Sequence, residues 1–241
     1  MAEPIPAERA TNLRAYQGPE AVEMYSRYQL QPEEKLLFAR YYKAGDNILD
    51  LACGLGRTTL VLHEMGFSVR GVDASDVFVN TAKRRFPCLD LQLGSYDRIQ
   101  EPDASFSHVL ISLCGLDVAF PESQRIDALR ESARVLKPGG SLIISSHNIK
   151  ALHVFSPRYR RRLLWKSRQA LTAFSDRAYI LDEGEYTFYA SRQYVIRQVR
   201  GLGLEFQETH WLRMTGLASI DRCFSLYLHY VFTKPQSLER H

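Results

Sequence analysis

Between Asp50 and Arg57 the chain reads Asp-Leu-Ala-Cys-Gly-Leu-Gly-Arg, and a further acid, Asp73, closes the next apolar run. Gly54 and Gly56 let the backbone approach a ligand with no Cβ in the way. A helix that starts just after such a loop offers unpaired N–H groups and a partial positive charge. Asp73, at a strand end, is placed to accept both hydroxyls of a ribose. A loop of this kind serves either a dinucleotide or an aminoacyl nucleoside. The dinucleotide pattern needs a third glycine for close helix packing, and that position is Thr59. Asp50 would repel a pyrophosphate and attract an ammonium group. The residues therefore favour an aminoacyl nucleoside.

Other residues carry possible chemistry. His147 follows an apolar run, and an imidazole of ordinary pKa, about 6.5, can deprotonate a hydroxyl or an amine. A hydrogen-bonded pocket or surface histidine is the alternative. Asp117 and His153 are weaker candidates of the same kind. Cys53 and Cys114 read as small residues packed beside a ligand rather than as reactive thiols. With Cys88 and Cys223 they form no CxxC pair and no zinc spacing, so no metal is expected. Tyr16, Tyr25 and Tyr28 either pack a helix or cap a cationic ligand. Arg158, Arg160, Arg161, Arg162, Lys166 and Arg168 read as the solvated face of a helix, with a phosphate, carboxylate or RNA site as the alternative. Tyr186-Thr-Phe-Tyr189 suits a pocket wall or an ordinary strand.

The surrounding elements explain how these residues are positioned. Glu20 to Tyr28 and Pro32 to Tyr42 have helical spacing, with Pro32 at a first turn. Short apolar strands are expected at 47–52, 67–72, 89–93, 108–113 and 141–146. Helices are expected at 58–65, 77–86 and 123–136, the first ended by Gly66. Strands alternating with such helices imply right-handed crossovers and a parallel sheet covered on both faces. From Lys150 the rhythm breaks, and 150–185 reads as an insertion with no clear strand. A helix at 191–202 and two antiparallel strands, 204–211 and 224–233, complete the chain.

These motifs resemble those of class I, Rossmann-like S-adenosylmethionine-dependent methyltransferases. Asn47-Ile-Leu-Asp-Leu-Ala-Cys-Gly-Leu-Gly-Arg-Thr-Thr59 is similar to the first signature motif of that family. Val69-Arg-Gly-Val-Asp-Ala-Ser75 resembles the second, and Arg134-Val-Leu-Lys-Pro-Gly-Gly-Ser-Leu142 the turn before the fifth strand. The resemblance runs from about residue 20 to 235. It implies an α/β fold: a doubly wound, mostly parallel seven-stranded sheet with the last strand antiparallel, N-terminal helices and a helical insertion after the fifth strand. The single domain would comprise a helical cap (1–45), a cofactor core (46–148), a substrate-side insertion (150–185) and a C-terminal helix with antiparallel strands (186–235).

The resemblance also assigns S-adenosylmethionine as cofactor. Asp50, Ala52, Gly54 and Gly56, with Cys53 and Arg57 in the same loop, would hold its methionine end. Asp73 would hold the ribose, with Ala74 and Ser75 beside the adenine. Ser95 and Tyr96 would flank the adenine where an Asp-Ala pair is commoner. Leu113 and Cys114 would lie under the methyl group, and Tyr28 would cap the cofactor.

Composition narrows the function. An apolar fraction of 45% and a net charge of +4 over 241 residues fit one soluble globular domain. They call for neither a membrane nor a nucleic-acid partner. Scattered cysteines and a polar N-terminus lead us to expect a cytoplasmic protein. A monomer or a homodimer is expected. Ser112-Leu-Cys-Gly115 stands where nucleic-acid amino methyltransferases often carry an Asn/Asp-Pro-Pro-aromatic motif. The expected reaction is methyl transfer to O or N of a small molecule, with His147 as candidate base. An RNA methyltransferase using 158–168 and a non-catalytic cofactor-binding subunit are the alternatives.

Overall fold

Five strands, β1 (Asn47–Leu51), β2 (Ser68–Asp73), β3 (Asp90–Leu93), β4 (Phe106–Ile111) and β5 (Leu136–Asn148), are parallel and lie in the order β3-β2-β1-β4-β5. This computed structural model describes residues 12–151, 176–182, 185–211, 221 and 225–236. Among the described residues the strands are accompanied by α1 (Pro19–Ser26), α2 (Pro32–Tyr41), α3 (Arg57–Glu64), α4 (Asp76–Arg85), α5 (Glu122–Val135) and α6 (Arg192–Arg200). The chain order alternates strand and helix as the sequence pattern requires. β1 sits at the switch point, with β2 on one side and β4 on the other. Ligands collect at the carboxyl ends of strands beside such a point.

Alternation along the strands decides what each face packs against. Leu49, Leu51, Val109, Ile111, Leu142 and Ile144 join Ala128 and Leu129 of α5 and Val195 and Val199 of α6. Ile48, Leu110 and Ile143, offset by one residue, meet Leu37 and Phe38 of α2 and Leu62 of α3. Nearly all of these are wholly buried. At about 1.5–3 kcal/mol for each large aliphatic side chain, both faces contribute heavily to stability. Asp50 shares the parity of Ile48 and therefore points under α3.

After β5 come β6 (Arg177–Asp182), β7 (Glu185–Ala190), β8 (Glu205–His210) and β9 (Tyr227–Thr233). β9 runs antiparallel along β5 from Ser141 to His147 and pairs antiparallel with β8. This is the reversed last strand expected from the resemblance.

Three local expectations change. The described part of 150–185 includes β6, which forms an antiparallel hairpin with β7, and β7 docks parallel on the end of β5 at His147 and Asn148. Within Arg177-Ala-Tyr-Ile-Leu-Asp182 the apolar residues run together without the alternation of a half-buried strand, so no strand signal stands out. The sheet thus has nine strands among the described residues, the expected seven plus this hairpin. Lys137-Pro-Gly-Gly140 is the entrance of β5 rather than a turn before it; a Cβ on Gly140 would sit 2.6 Å from the Ser107 carbonyl oxygen. His147 lies within β5, not beyond it. The basic run 158–168, His153 and Cys223 lie outside the described residues.

Candidate active site

A cavity of about 620 Å³ opens at the carboxyl ends of the strands, within the usual range for small-ligand sites. Ala52, Cys53, Gly54 and Arg57 form one wall, directly after β1. Ala52 and Gly54 take left-handed backbone (φ 54° and 56°), and Gly56 does so at 79° as it caps α3. Glycine holds that conformation at no steric cost. The resulting turn delivers the Gly54 N–H to Asp73 Oδ2 at 2.8 Å. The Ser75 N–H donates to Asp73 Oδ1, also at 2.8 Å. Asp73 and Ala74 line the cavity beside this loop. Burial raises the Asp73 carboxyl, and the Ser75, Gly54 and Ala74 amides oppose that rise.

Ser95 and Tyr96, after β3, line the same space. So does Phe78 of α4, which the sequence reading missed because it looks like helix packing. Phe78 joins Tyr16, Tyr25 and Tyr28 in an aromatic wall with ring centroids 5.5–6.0 Å apart. All three tyrosines face the cavity.

Three expected site residues do not reach the wall. Asp50 is wholly buried, and its Oδ2 accepts from Thr58 Oγ1 (2.6 Å) and Thr59 Oγ1 (2.7 Å). Its Oδ1 has no partner, and burial pushes the carboxyl up to about 6. Gly56 is covered by Leu89, which a Cβ would meet at 3.3 Å. Ser75 is the N-cap of α4; it accepts from the Phe78 N–H and donates to the Tyr16 carbonyl at 2.7 Å. These three shape the site from behind.

Arg57 binds Glu34 of α2 with both terminal guanidinium nitrogens, at 2.6 and 2.8 Å, and donates to Ser112 Oγ at 2.6 Å. Burial works to raise the Glu34 carboxyl, but the Arg57 guanidinium overrides it and holds the carboxyl below its usual range. Helix α2 is thereby clamped to the glycine-bearing loop after β1. A second set of hydrogen bonds straps residues 12–16 to Val118 and to β7. Asn12 donates to the Val118 and Tyr186 carbonyls at 2.6 and 2.8 Å and accepts from the Tyr186 N–H at 2.8 Å. Tyr16 donates to Glu185 of β7. Glu185 was hidden from the sequence reading because the hairpin was.

The floor is made by Leu113, Cys114 and His147. Leu113 and Cys114 form a tight left-handed turn, with φ of 47° and 57°. The Cys114 N–H donates to Ser145 Oγ at 2.7 Å. Asp117, wholly buried, accepts from the His147 N–H at 2.6 Å and lies 2.9 Å from its Nδ1. Its other oxygen accepts from buried Arg125 (2.6 Å) and Ser146 Oγ (2.8 Å). Burial works against an imidazolium, yet Cys114 and Asp117 together raise His147 well above its ordinary range. Burial pushes the Cys114 thiol up, and His147 pulls the other way.

Comparison with known proteins bears on the family and the fold. A family profile described as a methyltransferase domain matches residues 48–140. A demethylmenaquinone methyltransferase of Tropheryma whipplei is 30% identical over 188 residues, 74% of each chain. Among solved structures, a SAM-dependent methyltransferase from Methanosarcina mazei superposes with a TM-score of 0.68 at 19% identity, covering 87% of this chain and 100% of that one. A 1,6-didemethyltoxoflavin N1-methyltransferase of Burkholderia thailandensis, solved with 1,6-didemethyltoxoflavin and S-adenosylhomocysteine, gives 0.67 at 15% identity, covering 98% and 94%. Family profile, curated relative and fold agree: the chain belongs to the class I S-adenosylmethionine-dependent methyltransferases.

Proposed function

We propose that the cavity binds S-adenosylmethionine against the Gly54–Asp73 wall and methylates an O or N atom of a small molecule held over Cys114 and His147. One observation carries this reading: a single cavity joins the Asp73 wall to a histidine fixed by a buried carboxylate. The residues present fit the cofactor. Asp73 accepts ribose hydroxyls, while Ala74, Ser95 and Tyr96 border the adenine. The tyrosine faces favour a cation. When bound, the cofactor supplies an activated methyl group on a sulfonium.

What remains for the chain is alignment, exclusion of water and handling of a proton. Alignment alone supplies roughly 7–11 kcal/mol. Tyr227 lines the cavity together with Cys114 and His147, and Asn12 and Tyr16 tie the N-terminal segment to Val118 and Glu185. His147 takes the acceptor's proton, with Asp117 holding the ring in place. Such a base adds about 10²–10⁴-fold.

A strapped cavity of this volume suits a small acceptor rather than a nucleic acid. Two of the similar proteins are named for small acceptors, demethylmenaquinone and 1,6-didemethyltoxoflavin. The test is transfer of labelled methyl from S-adenosylmethionine to a panel of phenols, quinols and nitrogen heterocycles, run beside total RNA. Label should appear in small organic products; label in RNA alone would overturn the reading. In calorimetric titration, Asp73→Ala should weaken S-adenosylhomocysteine binding without unfolding the protein.

A further inference from the structure

Cys114 has a second possible chemistry that methyl transfer does not use. Its sulfur, a His147 ring nitrogen and an Asp117 carboxylate oxygen all lie within 4.8 Å of one another. His147 is held by Asp117, whose Oδ2 lies 2.9 Å from the ring Nδ1. Cys114 and His147 both line the cavity.

A divalent cation fits this trio poorly. Asp117 already accepts four hydrogen bonds, from Arg125, Ser146 and both the backbone and the ring of His147. The wholly buried Arg125 guanidinium also supplies the positive charge that a cation would bring. A thiol, an imidazole and a carboxylate in series form instead the relay that activates a sulfur nucleophile. The left-handed turn at Cys114 presents the side chain to the cavity floor.

We propose that Cys114 is the reactive thiol of a Cys–His–Asp unit, and that the cavity captures α,β-unsaturated carbonyl compounds as Cys114 thioethers. The thiol proton passes to His147. The sulfur electron pair forms a C–S bond at the β-carbon, and the C=C π pair moves onto the carbonyl oxygen. The resulting enolate regains a proton from the imidazolium, so every atom is retained and no oxidant or reductant is needed. This inference rests on the cavity floor alone and does not require the methyl-transfer reading.

The molecule contains its own control. Cys53 lines the same cavity and is as buried as Cys114, each 6% exposed, but its charged neighbours are Asp73 and Asp50 rather than a histidine. Cys88 is exposed and reports on the free reagent. The experiment treats the full chain, free of cofactor, with N-ethylmaleimide and follows each cysteine by peptide mass mapping. Cys114 should label about tenfold or more faster than Cys53. His147→Gln should slow Cys114 by about tenfold and leave Cys88 unchanged. Equal rates at Cys53 and Cys114 in the unaltered protein would overturn the proposal. So would a folded His147→Gln variant that labels Cys114 at full rate. The comparison of the two buried cysteines needs no substitution, so it stands even where the variant fails to fold.

Discussion

At the scale of single residues, Asp50 shows a carboxylate kept at a cost. Its folded value, about 6, lies above the roughly 3.9 of an unfolded chain. The native state therefore holds this proton more tightly. Stability from this group is fully present below about pH 4 and is lost as pH rises through 6. Asp50→Asn should thus stabilise the ligand-free protein at pH 7.5 by about 1–3 kcal/mol in urea unfolding. An unchanged midpoint would show that the buried carboxyl is not the strained group described here. His147 predicts a second pH effect. Asp117, Cys114, Glu185 and, behind Asp117, Arg125 are the charged or titratable groups set around it. Because its pKa is raised, the imidazolium persists above neutrality, and a rate that needs neutral imidazole climbs as pH passes neutral. Asp117→Asn removes an anion and should move that limb to lower pH. A kcat profile flat from about pH 6 to 9 would separate His147 from proton transfer. The sequence made Asp73, Gly54 and His147 readable because their types are chemical signals. It did not reveal that Asp50 faces α3, since strand parity decides that.

At the scale of elements, the α2 clamp matters most. Glu34 is 2% exposed and Arg57 13% by side chain, so breaking the pair strands a buried charge. Glu34→Gln should cost about 3 kcal/mol in denaturant unfolding. It should also weaken S-adenosylhomocysteine binding, because Arg57 belongs to the cofactor loop. A loss within error would mean that water replaces Glu34. The core strands and helices were legible because apolar residues repeat at periods that only buried strands and amphipathic helices explain. The β6 half of the β6–β7 hairpin was not, because Arg177-Ala-Tyr-Ile-Leu-Asp182 lacks the strict alternation of a half-buried strand and follows an arginine-rich stretch. Glu34 was equally hidden. Nothing local marks an acid on α2 as the partner of Arg57, 23 residues later.

At the scale of the whole molecule, cavity and fold are one system. The residues lining the cavity come from elements spread from residue 12 to residue 227. A ligand bridging them stabilises only the folded state. S-adenosylhomocysteine at 100 times its Kd should add about 2.7 kcal/mol and raise Tm by about 5–10 °C. A Tm that does not move with saturating ligand would contradict a cofactor site in this cavity. No helix among the described residues is long and apolar enough to cross a membrane. The doubly wound order could be inferred from alternating strands and helices, because right-handed crossovers leave few topologies.

The antiparallel strand β9 lies between β5 and β8, yet it comes after both in the chain. A nascent polypeptide leaving the ribosome therefore carries a half-built sheet, with β5 presenting bare amides and carbonyls along Ser141–His147 until Tyr227–Thr233 emerge. Exposed rims of that kind template intermolecular pairing. Translation stalled or cut short before residue 227 should yield inclusion bodies, whereas chains extending past residue 233 should not.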